Sequence, residues 1–139
     1  LSGRKLNDSM VNYVYSRIEK KFVEKSIKIN RAKILLLGIT FKENCTDSRN
    51  SKLIDVYNIL KNKNINVNVY DPLAIQSDLN HYNINLLSYA EINKNKYDCI
   101  IIGVCHNEFK DINVKALLRN SNSIVFDIQG TYKDKFERL

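Results

Sequence analysis

Apolar residues recur at every fourth position near the start of the chain. They are Leu6, Met10, Val14, Ile18 and Phe22. This spacing places the side chains in one stripe along an α-helix. The pattern therefore predicts one amphipathic helix over residues 4–22, followed by a polar connection over 23–31.

From residue 32 onward, short apolar runs alternate with helical patterns. The runs predicted to be strands are 32–38, 66–71, 83–88, 98–104 and 123–130. The segments predicted to be helical are 49–62, 75–82, 89–95 and 107–120, with a final helical turn over 131–139. Runs such as "KILLL" and "DCIIIGV" are apolar at successive positions, which is typical of strands buried on both faces.

This order of elements predicts an α/β fold. Strands that alternate with helices form a parallel sheet covered on both faces. We therefore predict a Rossmann-like, doubly wound parallel sheet of about five strands, preceded by one long helix. The predicted division places the helix and its connection in residues 1–31 and the sheet domain in residues 32–139.

The predicted loop after the first strand, "GITFKENCTDSR", contains one glycine, Gly38. A dinucleotide-binding turn has a G-x-G-x-x-G series that lets the backbone approach a pyrophosphate, so ordinary NAD binding by this domain alone is not predicted. Lys42 and Arg49 bracket the loop, and Asp47–Ser48 are predicted to cap the following helix. Two interpretations remain: an anion site, or a capped loop with solvated cations.

Two polar residues follow other predicted strands at the same edge of the sheet. Asp71 is in a position where a carboxylate often binds a ribose hydroxyl, but "DP" is equally a simple turn signal. His106 follows the strand over 98–104. We interpret it as a histidine satisfied by the backbone in preference to a ligand contact.

Charge and cysteine content narrow the function classes. The net charge is +7, with lysines scattered among many asparagines. No basic stripe carries interleaved aromatic residues, so nucleic-acid binding is not predicted. No apolar run is long enough for a membrane span. The three cysteines form no CxxC pair, which favours reduced thiols in the cytoplasm, and the two histidines stand apart, so no metal site is predicted.

Four motifs carry a resemblance to a known family. They are "GRKLNDSM" (3–10), "GITFKENCTDSRNSK" (38–52), "VYDP" (69–72) and "GVCHNEF" (103–109). Together they resemble the C-terminal part of the UDP-glucose/GDP-mannose dehydrogenases, and most of all the branch that oxidises UDP-N-acetylhexosamines for bacterial surface polysaccharides. Members of this family oxidise a sugar C6 alcohol to a carboxylate in two NAD-dependent steps, through a cysteine thiohemiacetal.

The resemblance implies roles for three residues. Phe41 and Lys42 would contact the UDP-sugar, and Arg49 would reach toward NAD held by the family's N-terminal domain. Residues 1–31 would be the end of the central dimerisation helix with its connection, in a cytoplasmic homodimer. The resemblance does not tell which UDP-hexosamine is oxidised.

Departures from the family pattern limit the transfer of roles. The glycine-rich NAD loop, the catalytic Lys-x-x-x-Asn segment and the nucleophilic "GGxC" loop are expected upstream, so no catalytic residue is predicted here and the chain alone is expected to be inactive. Some members have a substrate-binding arginine where this chain has Gly130. The alternatives are a non-catalytic nucleotide-binding module or a structural dimerisation module of the same topology.

Overall fold

The computed structural model describes the backbone of residues 2–130, 132–134 and 136–138. It describes the side chains of residues 10–130, 132–134 and 136. The α-helices are α1 (Ser2–Glu24), α2 (Lys52–Asn62) and α3 (Tyr89–Asn93). The strands are β1 (Lys33–Leu37), β2 (Asn66–Tyr70), β3 (Cys99–Ile102), β4 (Ile124–Asp127) and β5 (Glu137–Arg138).

All five strands are parallel, in the spatial order β2-β1-β3-β4-β5. The chain leaves β1 toward one edge of the sheet and later crosses back to place β3 on the other side of β1. Such a reversal opens a crevice at the carboxyl ends of the two central strands. The predicted Rossmann-like α/β fold with a leading helix is confirmed.

The core lies on both faces of the sheet because successive strand residues point to opposite sides. In β1, Ile34 and Leu36 face a cluster that includes α1 and α2. Leu35 and Leu37 face a second cluster, built around Phe109. The continuous apolar runs thus mark strands buried on both faces, as predicted.

The stripe predicted on α1 is partly wrong. The buried α1 side chains are Val11, Val14, Tyr15, Ile18 and Phe22. Met10 is 51% exposed, since the buried stripe turns to Val11 one residue later. The side chain of Leu6 lies outside the described residues.

The predicted third strand over 83–88 is wrong. This segment has one isolated parallel bridge, between Val69 and Leu86. The side chain of Gln76 accepts a hydrogen bond from the Leu86 amide at 2.8 Å and donates one to the Ile84 carbonyl at 2.8 Å. A side chain therefore satisfies groups that a neighbouring strand would otherwise bind. The fifth strand is instead β5, where a final helical turn over 131–139 was predicted, and residues 131, 135 and 139 lie outside the description.

Two predicted helices are 3₁₀ turns in the structure. Residues 75–82 form the turns Gln76–Asp78 and Asn80–Tyr82, and residues 107–120 form Asn107–Asp111 and Val114–Leu117. No helix in the described part of the chain combines the length and apolar character of a membrane span.

Candidate functional site

The loop over residues 38–51 leaves β1 at the carboxyl edge of the sheet and leads into α2. Gly38 starts this loop with a φ of +85°, a region that side-chain-bearing residues rarely adopt. A Cβ atom on Gly38 would lie 2.4 Å from the Val104 carbonyl oxygen. The ends of β1 and β3 therefore approach each other backbone to backbone.

The carboxylate of Asp71 holds the start of this loop. Its Oδ2 accepts hydrogen bonds from the amides of Ile39 at 2.7 Å and Thr40 at 3.3 Å. Its Oδ1 accepts from the amides of Leu73 at 2.9 Å and Ala74 at 3.1 Å. The side chain is fully buried, so the ribose interpretation of Asp71 is wrong and the turn interpretation is confirmed.

The surroundings of Asp71 favour its ionised form. Burial alone raises the pKa of a carboxyl group. Here the hydrogen bonds from His106 and from the Ile39 amide outweigh burial and hold the pKa of Asp71 below its ordinary value. Asp71 is therefore a buried carboxylate at the carboxyl edge, and hydrogen bonds stabilise its negative charge.

His106 is fully buried against Asp71. Its Nδ1 accepts a hydrogen bond from the Asn44 amide at 2.9 Å, so the proton of the neutral ring is on Nε2. Nε2 lies 3.0 Å from Asp71 Oδ2 and 3.3 Å from Thr40 Oγ1. The prediction of a backbone-satisfied histidine is confirmed for Nδ1, but the sequence did not indicate the bond to Asp71.

Phe41 and Lys42 lie in the loop over residues 38–51, just after the residues that Asp71 binds. The Phe41 amide donates to the Asp47 carbonyl at 2.7 Å, while its ring is 58% exposed. The Thr40 hydroxyl donates to the Lys42 carbonyl at 3.0 Å. The Lys42 side chain is exposed, and within the described ranges it has no carboxylate partner. The loop thus presents an aromatic ring and an exposed cation to solvent.

Arg49, the second predicted cation, is already paired. Its Nε and Nη2 donate to the two Asp47 carboxylate oxygens, both at 3.0 Å. These hydrogen bonds lower the pKa of Asp47. The Arg49 side chain remains 82% exposed although one edge of its guanidinium is bonded to Asp47.

The predicted helix cap at Asp47–Ser48 is wrong. The N-cap of α2 is Ser51, whose Oγ accepts from the Leu53 amide at 3.2 Å. The Ser51 hydroxyl also donates to the Thr40 carbonyl at 3.3 Å. The cap therefore ties the helix start to the same held loop.

A groove of about 500 Å³ lies beside Phe41, between α1 and the carboxyl edge. Its walls include Met10, Tyr13, Phe41, Val104 and Ile128, with Asn50, Lys52 and Gln129 among its polar residues. The groove therefore has a largely apolar wall, with the cation of Lys52 at its lining. The sequence pattern did not indicate this groove, because Met10 was expected to be buried.

The cysteines lie in three different settings. Cys45 Sγ accepts from the Asp47 amide at 3.3 Å, and Cys99 is buried in β3, where burial raises the pKa of its thiol. Cys105 is half-buried next to His106. No cluster of His, Cys, Asp and Glu suited to a metal ion occurs among the residues described.

The carboxyl-edge loop falls within a segment matched by a known family. The model of the UDP-glucose/GDP-mannose dehydrogenase family, UDP binding domain, matches residues 35–134. This chain belongs to that family. The matched segment holds the whole loop, Asp71 and His106, while the α1 residues that line the groove, such as Met10 and Tyr13, precede it.

In the aligned segment, relatives from the UDP-glucose/GDP-mannose dehydrogenase family are identical to this chain at about a third of the positions. The UDP-N-acetyl-D-glucosamine 6-dehydrogenases of Pseudomonas aeruginosa and Salmonella typhi are 36% and 35% identical over 93% and 97% of this chain. A UDP-N-acetyl-D-mannosamine dehydrogenase of Methanococcus vannielii is 37% identical over 78% of it. The chain spans 31%, 29% and 24% of these three relatives.

Solved structures confirm the fold. A UDP-D-ManNAc dehydrogenase from Pyrococcus horikoshii superposes with a TM-score of 0.73 at 24% identity, over 97% of this chain and 32% of that protein. The UDP-N-acetyl-mannosamine dehydrogenase Cap5O from Staphylococcus aureus gives a TM-score of 0.72 at 24% identity, over 97% and 30%.

Proposed function

We propose that this chain is the nucleotide-sugar-binding part of an NAD-dependent UDP-sugar 6-dehydrogenase. The substrate class is a UDP-N-acetylhexosamine, which is oxidised to the uronic acid for surface polysaccharide. The relatives named as UDP-N-acetyl-D-glucosamine and UDP-N-acetyl-D-mannosamine dehydrogenases support this class. The observation that carries the proposal is Lys42, an exposed cation at the carboxyl edge with no carboxylate partner among the described side chains.

The geometry of the loop suits a nucleotide diphosphate. An ammonium group with no carboxylate partner can bind phosphate oxygens without first breaking an ion pair. Because the backbone on both sides of Lys42 is already held, little ordering is left for the ligand to impose. Phe41 adds an exposed aromatic face beside the apolar groove, which suits contact with the rest of the nucleotide sugar.

The residues of the β1–α2 turn do not fit NAD as a primary ligand. The single glycine of the turn, Gly38, serves the packing of the strand ends, because a Cβ there would lie 2.4 Å from the Val104 carbonyl oxygen. The turn also lacks the further glycines of a dinucleotide site. We therefore propose that NAD is bound mainly by a separate N-terminal domain.

The oxidation chemistry is proposed to come from that same N-terminal part. Cys99 is poorly suited to attack an aldehyde, because it is buried and its thiol pKa is raised. Deprotonation of a nucleophilic thiol needs the opposite environment. We expect the chain alone to bind substrate without turning it over.

Lys42→Ala is expected to weaken UDP binding by roughly 1.5–3 kcal/mol, about 10- to 150-fold, because one charge-assisted phosphate contact is lost. Isothermal titration of the chain with UDP measures the change. Lys61→Ala is the matched control, since it removes the same charge from the end of α2 distant from the loop. Equal UDP affinity for Lys42→Ala and the control would contradict the assignment of Lys42.

Arg49 is proposed to contact NAD across the cleft. Its side chain is 82% exposed although Asp47 binds one edge of the guanidinium, so the other edge can reach a second domain. In the complete dehydrogenase, Arg49→Ala is expected to raise the KM for NAD several-fold more than the KM for the UDP-sugar. Steady-state kinetics with each substrate varied would measure this, and the reverse ranking would contradict the role.

We also propose that the complete protein is a cytoplasmic homodimer, with α1 as part of the contact. Three apolar α1 side chains support this: Met10, Tyr13 and Val23 are 51%, 54% and 74% exposed. An exposed apolar helix face is a common site of association. The cytoplasm is where NAD and UDP-sugars are available together.

A further inference from the structure

The imidazole of His106 contacts the loop over residues 38–51 on both sides of Lys42. On one side, Nδ1 accepts from the Asn44 amide at 2.9 Å. On the other, Nε2 lies 3.3 Å from Thr40 Oγ1, and that hydroxyl donates to the Lys42 carbonyl at 3.0 Å. One rigid ring therefore fixes residues two before and two after the proposed substrate cation.

Two contacts hold the ring in place, and a third ties the loop to the segment that follows His106. Asp71 Oδ2 accepts a hydrogen bond from Nε2 at 3.0 Å. Backbone amides that donate to the same carboxylate fix its orientation. Phe109 packs on the ring with centroids 5.2 Å apart. Asn44 Oδ1 accepts from the Asn107 amide at 2.9 Å, which ties the loop to the segment just after His106.

We propose that His106 is a positioning residue for nucleotide-sugar binding: it sets the place of Lys42 by holding Asn44 and Thr40. The inference rests on the proposed function, since it assumes that Lys42 binds the diphosphate. His106 is fully buried and acts without touching the ligand. Its neutral form with the proton on Nε2 is required, because Nδ1 must accept from the Asn44 amide.

Two amide substitutions separate the two edges of the ring. The oxygen of an asparagine side chain lies close to the position of histidine Nδ1, so His106→Asn retains an acceptor for the Asn44 amide. The terminal amide of glutamine reaches the position of Nε2, so His106→Gln retains a donor for Asp71 and loses the acceptor. Both variants lose the ring and its packing on Phe109.

Titration with UDP tests the proposal, with thermal unfolding measured alongside. His106→Gln is expected to bind UDP about tenfold more weakly than the unchanged chain, which corresponds to the loss of one hydrogen bond. His106→Asn is expected to retain most of the affinity. In a Lys42→Ala background, His106→Gln should cause no further loss of affinity, because the positioned group is gone.

Tyr97→Phe is the matched structural control. Tyr97 is also fully buried and accepts a hydrogen bond from Asn68 Nδ2 at 3.0 Å, but it lies at the amino end of β3. Its loss should lower the melting temperature and leave UDP affinity unchanged. If folded His106→Gln and His106→Asn both bind UDP as tightly as the unchanged chain, the positioning role is overturned.

A second measurement keeps this test separate from the proposed function. Hydrogen exchange of the Asn44 amide, followed by NMR without ligand, should be slow in the unchanged chain and in His106→Asn and fast in His106→Gln. If the unchanged chain does not bind UDP, the proposed function fails, yet the exchange pattern still reports whether His106 holds the loop. Equal Asn44 exchange in the three proteins would overturn the inference by itself.

Discussion

Replacing Asp71 with alanine is expected to lower the free energy of unfolding by roughly 3–5 kcal/mol, the cost of breaking a buried charge-linked network. The carboxylate accepts from four backbone amides and from His106. Removing it leaves these donors buried without acceptors, and each such group carries its own desolvation cost. Urea unfolding followed by circular dichroism measures the change.

Asp78→Ala is a suitable control for that experiment. Asp78 is an exposed carboxylate on the same connection after β2, and exposed substitutions usually change stability by less than about 0.5 kcal/mol. A loss for Asp71→Ala no larger than the loss for Asp78→Ala would mean that the network does not hold the fold.

The same network predicts a dependence of stability on acid. The folded pKa of Asp71 lies below its ordinary value, which is about 3.9 in unfolded peptides. The stabilisation is therefore complete above the unfolded pKa and is lost as the pH falls through the folded pKa. Between about pH 5 and pH 3, the unchanged chain should lose more stability than Asp71→Asn, which lacks the titrating group.

Replacing Gly38 with alanine is expected to cost about 3–5 kcal/mol of stability, from a strained φ together with overpacking. The new methyl group would lie 2.4 Å from the Val104 carbonyl oxygen and 2.6 Å from a Val104 side-chain carbon. Relief requires the ends of β1 and β3 to move apart, which also displaces the loop that carries Lys42. UDP affinity should therefore fall together with the melting temperature.

Asn64→Ala separates the effect of backbone strain from that of crowding. Asn64 has a φ of +60° after α2 and is exposed, so alanine there suffers only the strain of a left-handed conformation, about 1 kcal/mol. If Gly38→Ala costs no more than Asn64→Ala, the close approach of the two strand ends does not constrain the fold.

The strands predicted over 32–38, 66–71, 98–104 and 123–130 are all present, as β1, β2, β3 and β4. The runs over 32–38 and 98–104 admit only burial on both faces, and they became β1 and β3. The run over 83–88 alternates in a way that also suits a strand, but Gln76 occupies its hydrogen-bonding groups. A side chain eight to ten residues away is not visible in a periodicity.

The helix predicted over 107–120 fails for a similar reason. Of the three residues whose spacing predicts one helical face, Ile112 and Leu117 are buried but Ala116 is exposed. However, Ile112 adopts an extended conformation, and its carbonyl accepts from the Tyr132 hydroxyl at 2.6 Å. A distant tyrosine thus satisfies a backbone group that a continuous helix would have bonded internally.

In the candidate site, too, some features could be predicted from the sequence, whereas contacts between distant residues could not. The position of the loop at the carboxyl edge followed from the order of elements, and the roles of Phe41, Lys42 and Arg49 are predictions from the resemblance. The contact between Asp71 and His106 could not be predicted, because the two residues are 35 positions apart. The pairing of Arg49 with Asp47 was also missed, although the two are close in sequence.

The most direct measurement of the central claim is a calorimetric titration of this chain with UDP, UDP-N-acetylglucosamine and NAD. Both UDP compounds are expected to bind and NAD is expected not to bind, because the loop after β1 has the exposed cation Lys42 and lacks the glycine series of a dinucleotide turn. Binding of NAD without binding of either UDP compound, or binding of none of the three, would contradict the assignment of the nucleotide-sugar site to this chain.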